Sequence, residues 1–103
     1  MNIIANNTAS KNIIVIYTDE ILDLSSYFTF SEAAEMVRGS PLPSSIFVDM
    51  GKTRQLFDSG RAMLQALHQM AGGPMNPIYL TNVGSDIKSQ LALERMPMTM
   101  VLT

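Results

Sequence analysis

Short β-branched or apolar runs alternate with longer amphipathic stretches along this chain, and that alternation constrains its fold most. The runs are NIIA (2–5), NIIVIY (12–17), IFVDM (46–50), IYLT (78–81) and MTMVLT (98–103). Each is strand-length and bounded by turn-forming residues. The first two are separated by NNTASK (6–11), which reads as a hairpin connection, and GSPLPSS (39–45) and AGGPMNP (71–77) read as loops. Between the later runs lie segments with helical spacing. In 23–38, Leu24, Tyr27 and Phe28, then Ala34 and Val37, predict one apolar face, with Asp23 or Ser25 as the cap. In 59–71, Met63, Leu67 and Met70 share a face with Ala62 and Ala66 beside them. In 83–95, Ser85 caps a helix that carries Ile87 and Leu91 one turn apart. The order β-β-α-β-α-β-α-β predicts one α/β domain over 1–103, a central mixed β-sheet flanked by helices, with parallel pairs and buried strands. Val48, Leu64, Leu67, Ile78 and Leu80 are its expected core.

Length and composition narrow the function classes. A chain of 103 residues has room for one modest core and shows no internal repeat. Its net charge of −2 provides no footprint for nucleic acid. The absence of cysteine removes disulfide and thiol chemistry and suits a reducing, cytoplasmic setting. No apolar run approaches the roughly 20 residues that span a bilayer, so no direct membrane insertion and no signal peptide are expected. Nine methionines are read as core filling, with adaptable contact surface as the alternative.

The chemical motifs thin out on inspection. GKT (51–53) lacks the glycine five residues upstream that a phosphate loop needs, because Ile46 stands there. Ser59 and His68 on one helix would be about 13 Å apart along the axis, out of reach for a nucleophile and its base. A single histidine with no cysteine makes no zinc site, and Asp19, Glu20 and Asp23 suit the start of a helix better than a metal. No catalytic residue, metal site or cofactor is expected. What remains is Asp58-Ser59-Gly60 at the mouth of the 59–71 helix. Local chemistry leaves two readings open there, a helix N-cap or a modification site.

The segment VDMGKTRQLFDSGRAMLQALHQMA (48–71) resembles the STAS family, shared by sulfate-transporter tails and bacterial anti-sigma-factor antagonists. That family has an apolar strand ending in Asp, then Asp-Ser-Ser-Gly opening a helix. Laid on this pattern without gaps, Asp49 matches the strand-end Asp, Gly60 the Gly, and Ser59 the second Ser. ILDLSS (21–26) is similar to the family's Leu-Asp-Leu stretch, and 77–96 to its later strand, loop and helix. Phe57, Asp58 and Arg61 depart from the pattern, standing for Asp, Ser and Leu. The Gly before the Leu-Asp-Leu stretch is missing, with Glu20 and Ile21 in that region, and the sequence up to Thr103 offers little or no room for the family's last helix.

The resemblance implies a small STAS-like fold and a non-catalytic partner-switching module like an anti-sigma-factor antagonist. Ser59 is then the phosphorylation site, with Asp58, Gly60, Arg61 and Asp23 as partner-binding residues around it. The implied partners are an anti-sigma factor or a serine kinase of the histidine-kinase-like ATPase type, together with a phosphatase. A phosphate at a helix start meets free N–H groups and the positive end of the dipole, with Arg61 or Arg54 as candidate counter-ions. The alternative implication is a STAS subunit of a membrane transport assembly, such as a phospholipid-transport ATPase.

Overall fold

β-branched residues at alternate positions build the central strands. The elements of the computed structural model, which describes residues 1–73, 75–92 and 100–102, follow the chain in this order. Strand β1 is Asn2–Asn7, β2 Asn12–Tyr17 and β3 Ile21–Leu22; a 3-10 turn, Leu24–Ser26, leads into helix α1, Tyr27–Arg38. Then come β4, Ser44–Asp49, β5, Gln55–Leu56, α2, Asp58–Ala71, β6, Ile78–Thr81, α3, Ser85–Ala92, and β7, Met100–Leu102. The main sheet has five strands in the order β1-β2-β4-β6-β7. Only the β1–β2 pair is antiparallel; β2–β4, β4–β6 and β6–β7 are parallel. Apart from the two-residue strands β3 and β5, the expected order of strands and helices stands, and the sheet is mixed as expected. The expected helical residues 93–95, the strand residues 98, 99 and 103, and Pro74 of the loop lie outside the described residues.

Register decides which side of the sheet is covered. Ile14, Ile46 and Ile78 lie side by side, as do Ile16, Val48 and Leu80, and all six are fully buried. They form one core with Phe30, Ala33, Ala34 and Val37 of α1, Leu64, Leu67 and Ala71 of α2, and Ile87 and Leu91 of α3. Val48, Leu64, Leu67, Ile78 and Leu80 are buried as the sequence predicts. On the opposite face Val15, Phe47 and Tyr79 align and stay half-buried, with the Phe47 and Tyr79 rings stacked at 5.0 Å. Met50 is fully buried, and Met1, Met36, Met63 and Met70 pack at the core margin, so much of the methionine complement is core filling.

Several boundaries differ from the sequence expectation, and three of these differences have a clear local reason. β1 runs on through Asn6 and Asn7, and Thr8 closes the hairpin by its N–H to the Lys11 carbonyl (2.8 Å). β4 begins at Ser44, inside the expected 39–45 loop, because that polar start is satisfied internally. The Ser44 N–H donates to Asn76 Oδ1 at 2.8 Å, and the Asn12 N–H donates to the Pro43 carbonyl at 2.9 Å. The 23–38 segment splits into the 3-10 turn and α1, which rotates its apolar face. Phe30, Ala33, Ala34 and Val37, a true i, i+3, i+4, i+7 set, go inside, whereas Leu24, Tyr27 and Phe28 stay exposed.

A buried hydroxyl relay fastens the loop after β2 to the loop after β4. Thr53 Oγ1 donates to the Asp19 carbonyl at 2.7 Å and lies 2.5 Å from Thr18 Oγ1, which in turn is 3.2 Å from the Asp49 carbonyl. Both threonines are buried. Thr53→Val keeps the shape but leaves the Thr18 hydroxyl and the Asp19 carbonyl without this partner. The expected cost is about 1–3 kcal/mol in chemical denaturation. A variant as stable as the wild type would show that water replaces the relay at no cost.

Candidate functional site

The site is built where two distant segments meet at the carboxyl ends of the central strands. Asp49, the last residue of β4, organises the loop that follows. Its Oδ1 accepts from the Gly51 N–H at 2.9 Å and its Oδ2 from Asn82 Nδ2 at 3.0 Å. Asn82 adopts φ 54°, a left-handed conformation that asparagine tolerates. Past this loop the chain forms β5, which pairs in parallel with β3 through Ile21–Gln55 and Leu22–Leu56. This two-stranded pairing was not legible in the sequence, and it carries α2 to its starting point. The Phe57 N–H donates to the Leu22 carbonyl at 3.1 Å, and α2 begins at the next residue.

Gly60 makes the close approach possible. A side-chain carbon built on it would lie 2.2 Å from the Leu22 carbonyl oxygen and 3.1 Å from Leu56 Cδ1. The residue expected to touch a partner is instead buried against β3, where it sets how deeply the start of α2 is seated.

Ser59 is not the cap of its helix. α2 starts at Asp58, and its N-cap is Phe57 in extended conformation, whose side chain makes no cap hydrogen bond. The Ser59 hydroxyl is turned instead toward the other segment and accepts from the Leu24 N–H at 3.1 Å. This bond joins Ser59 to the Leu22-Asp23-Leu24 stretch, so the two parts of the sequence that carry the family resemblance meet here. The cap reading of Ser59 is thereby corrected: Phe57 holds the cap position, and the hydroxyl is spent on a contact between segments.

Asp23 shapes the other half. It caps the 3-10 turn, taking the Ser25 N–H at 3.0 Å and the Ser25 hydroxyl at 2.5 Å on Oδ1. Its carbonyl accepts from the Ser26 hydroxyl at 2.9 Å. Of the two caps the sequence allowed, Asp23 is the one used. The Ser25 hydroxyl, and then the Ser25 N–H, hold the Asp23 carboxyl below its ordinary value of 3.8. A depressed carboxyl contributes stability that is present above the unfolded-state value and is lost as pH falls through the lower folded-state one. We expect an NMR titration to place Asp23 below the ordinary carboxylate midpoint, and Ser25→Ala to raise it. A wild-type midpoint at or above the ordinary value would contradict the hydrogen-bonded geometry.

Charge and apolar surface surround the serine. Asp58 is 92% exposed and forms an i, i+3 ion pair with Arg61 along the first turn of α2. Arg54 donates instead to the Gly51 carbonyl at 3.1 Å, on the loop leading to the site. Phe28 is 81% exposed, and Leu24, Tyr27, Ile21 and Phe57 are exposed as well. All belong to the β3, 3-10 and helix-start segments that meet at Ser59, and Tyr27 and Phe28 contact each other edge-to-face at 5.7 Å. Helical spacing in the sequence predicts Leu24, Tyr27 and Phe28 on the apolar face of the helix, with Ala34 and Val37. The signal that would have separated them is the cleaner helical register of Phe30, Ala33, Ala34 and Val37. Exposed apolar side chains gathered at one place mark an interaction surface more often than chance.

Other chemistry does not assemble here. Ser59 and His68 both lie on the unbroken α2, about 13 Å apart along its axis. Gly51 and Lys52 form a turn and Thr53 is buried in the hydroxyl relay, so GKT makes no phosphate cradle. Among the described residues, no group of three His, Cys, Asp or Glu is placed to hold a metal ion, and no helix is long and apolar enough to cross a membrane.

Known proteins match this chain by structure and not by sequence. No protein-family model matches it, and no curated protein is a significant sequence match. A serine-to-glutamate variant of RsbS from Moorella thermoacetica superposes with a TM-score of 0.71 at 14% identity, covering 100% of this chain and 86% of that one. The anti-sigma factor antagonist SpoIIAA, solved in its unphosphorylated form, gives a TM-score of 0.64 at 9% identity, covering 99% of this chain and 87% of that one. Both neighbours are STAS proteins, and at these identities the likeness is one of fold.

Proposed function

We propose that this chain, which has the STAS fold, is a non-catalytic partner-switching module of the anti-sigma-factor-antagonist kind, controlled by phosphorylation of Ser59. One observation carries the reading. A half-buried serine hydroxyl at the first turn of α2 bonds to Leu24, at the start of the segment that exposes Leu24, Tyr27 and Phe28, and it lies two residues after exposed Phe57. Such a surface suits a protein partner with an apolar contact patch. A phosphate on Ser59 would bring about −1.5 to −2 charges into the centre of that patch, beside the carboxylate of Asp58. First-turn N–H groups of α2, whose N-cap side chain makes no hydrogen bond, would receive the phosphate, with Arg61 of the same turn as its counter-ion.

The domain then keeps its fold while its surface becomes unfit for an apolar or acidic partner. The structural neighbours agree with this reading, since one carries a serine-to-glutamate change and the other was solved in its unphosphorylated form. The partners are an anti-sigma factor or a serine kinase of the histidine-kinase-like ATPase type, with a phosphatase to reset the switch, all in the cytoplasm. No chemistry is required of the module itself.

The test is a titration calorimetry comparison of unmodified and phosphorylated protein against the histidine-kinase-like ATPase of its own organism. The phosphate is located at Ser59 by fragment mass spectrometry. Binding by the unmodified form that is lost on modification supports the switch. Equal binding by both forms refutes it and favours a permanently docked subunit.

A further inference from the structure

β1 is an edge strand without the usual protections. Natural edges are blunted by lysine, proline, a bulge or a covering element. Residues 2–10 carry no charge and no proline, and β1 pairs with β2 one-to-one from Asn2–Tyr17 to Asn7–Asn12 without a bulge. The direction of its free hydrogen-bonding groups follows from its neighbours. The Asn12 and Thr18 N–H groups donate toward β4, to the Pro43 and Asp49 carbonyls. Backbone groups alternate sides along a strand, so Ile13, Val15 and Tyr17 serve β1. Their partners Asn6, Ile4 and Asn2 point inward, which leaves Ile3, Ala5 and Asn7 aimed out of the sheet.

We propose that this edge is a homodimer interface, in which β1 pairs antiparallel with β1 of a second copy around a two-fold axis at Ile4. An antiparallel two-fold pairing sets each strand against its own sequence, so any charge would meet its copy nearby, and here there is none. The register is selected by shape. Pairing Ile3 with Ala5 sets the copy's Ile3 side chain on the helix-side face, next to small Ala5. There a hollow of about 400 Å³, lined by Ala5, Asn7, Met36 and Pro41 among others, is open to receive it. The same register brings Ile4, 53% exposed on the opposite face, against its own copy, and sets Asn2 beside Asn6. Shifting the axis to Ala5 would set the copy's Ile3 against Asn7 and Ile4 against Asn6, so neither isoleucine would meet an apolar side chain directly across the pair. The two sheets become one.

Sedimentation velocity over a dilution series, with disulfide trapping, tests this directly. Because the chain has no cysteine, Ile4→Cys introduces the only thiol. Across the axis its Cα atoms would be about 4.5 Å apart, the spacing of a non-hydrogen-bonded antiparallel pair and within disulfide range. We expect a concentration-dependent dimer, efficient oxidation of Ile4→Cys to a covalent dimer, and little for Asn6→Cys, whose copy lies several residues away. Ile4→Lys sets like charges face to face and should raise the dimer dissociation constant about tenfold or more. Ala5→Pro removes an outward donor without touching the β1–β2 ladder and should also dissociate it. If Ala5→Pro fails to fold, Ile4→Lys at its exposed position decides. A wild type that is monomeric at every concentration overturns the proposal, as does a dimer indifferent to Ile4→Lys. A monomer whose β1 edge is filled by a strand from another protein overturns it too.

Discussion

Gly60→Ala is expected to destabilise the protein by about 3 kcal/mol, against the ordinary preference of helices. In an exposed helix interior the same change stabilises by about 1 kcal/mol, since alanine has the better propensity. Here the added carbon would sit 2.2 Å from the Leu22 carbonyl oxygen and 2.7 Å from its carbon. That obstacle is backbone, and it is fixed, because the same oxygen accepts from the Phe57 N–H and β3 is paired with β5. The start of α2 has to lift, which breaks the Phe57–Leu22 bond and draws Ser59 away from the Leu24 N–H. Overpacking of this kind costs about 1–3 kcal/mol and more where backbone is displaced, so the clash outweighs the propensity gain. For a domain of this length the loss corresponds to a melting temperature lower by roughly 12–24 °C. Gly84→Ala is the control: nothing lies within 4 Å of its added carbon, and a change within about 0.5 kcal/mol is expected. A Gly60→Ala protein that melts at or above the wild-type temperature would show that α2 is not seated on β3 as described.

That close approach also marks the limit of what the sequence discloses. The strands β2 and β6 are legible to the residue, because β-branched runs bounded by turn residues have few alternatives. The core of α2 is legible because Leu64 and Leu67 recur at helical spacing. β3 and β5 are not: two residues each carry no period, and their pairing depends on a neighbour more than thirty positions away. Ser44 and Ser45 read as loop by composition, yet are buried in β4 because Asn76 and Asn12 satisfy the polar groups of Ser44. Ser59 illustrates both sides. Its position at the start of a helix was legible. Its bond to Leu24 was not, because a local capping rule considers only the helix's own N–H groups, and the winning donor came from another segment. The exposed apolar residues were misplaced for a related reason. One 3-10 turn ahead of α1 shifts the register enough to turn Leu24, Tyr27 and Phe28 out of the core.

Ser59→Glu is expected to lower affinity for the proposed ATPase partner by about 1–3 kcal/mol, roughly a five-fold to 150-fold loss, while Ser59→Ala keeps it. The argument rests on where the charge goes. Glutamate at this position adds a carboxylate beside exposed Asp58 and amid Leu24, Tyr27, Phe28 and Phe57. Docking would have to strip water from two neighbouring negative groups, a cost that folding alone does not incur. The fold should survive, and RsbS carrying a serine-to-glutamate change does have this architecture. Alanine removes only an acceptor for the Leu24 N–H in an exposed bond, which solvent replaces at about 1 kcal/mol or less. If Ser59 serves only to tie the 3-10 turn to α2, the two variants should change unfolding temperature and leave partner affinity alike. Measuring both quantities on the same preparations therefore separates a switch from a structural tie. Asp58→Ser supplies the converse. It removes the exposed carboxylate next to Ser59 and the ion-pair partner of Arg61, and should speed phosphorylation by the kinase, read by intact mass. Unchanged phosphorylation of Asp58→Ser, together with equal affinity of the alanine, glutamate and wild-type proteins, would leave Ser59 as a tie between two segments and nothing more.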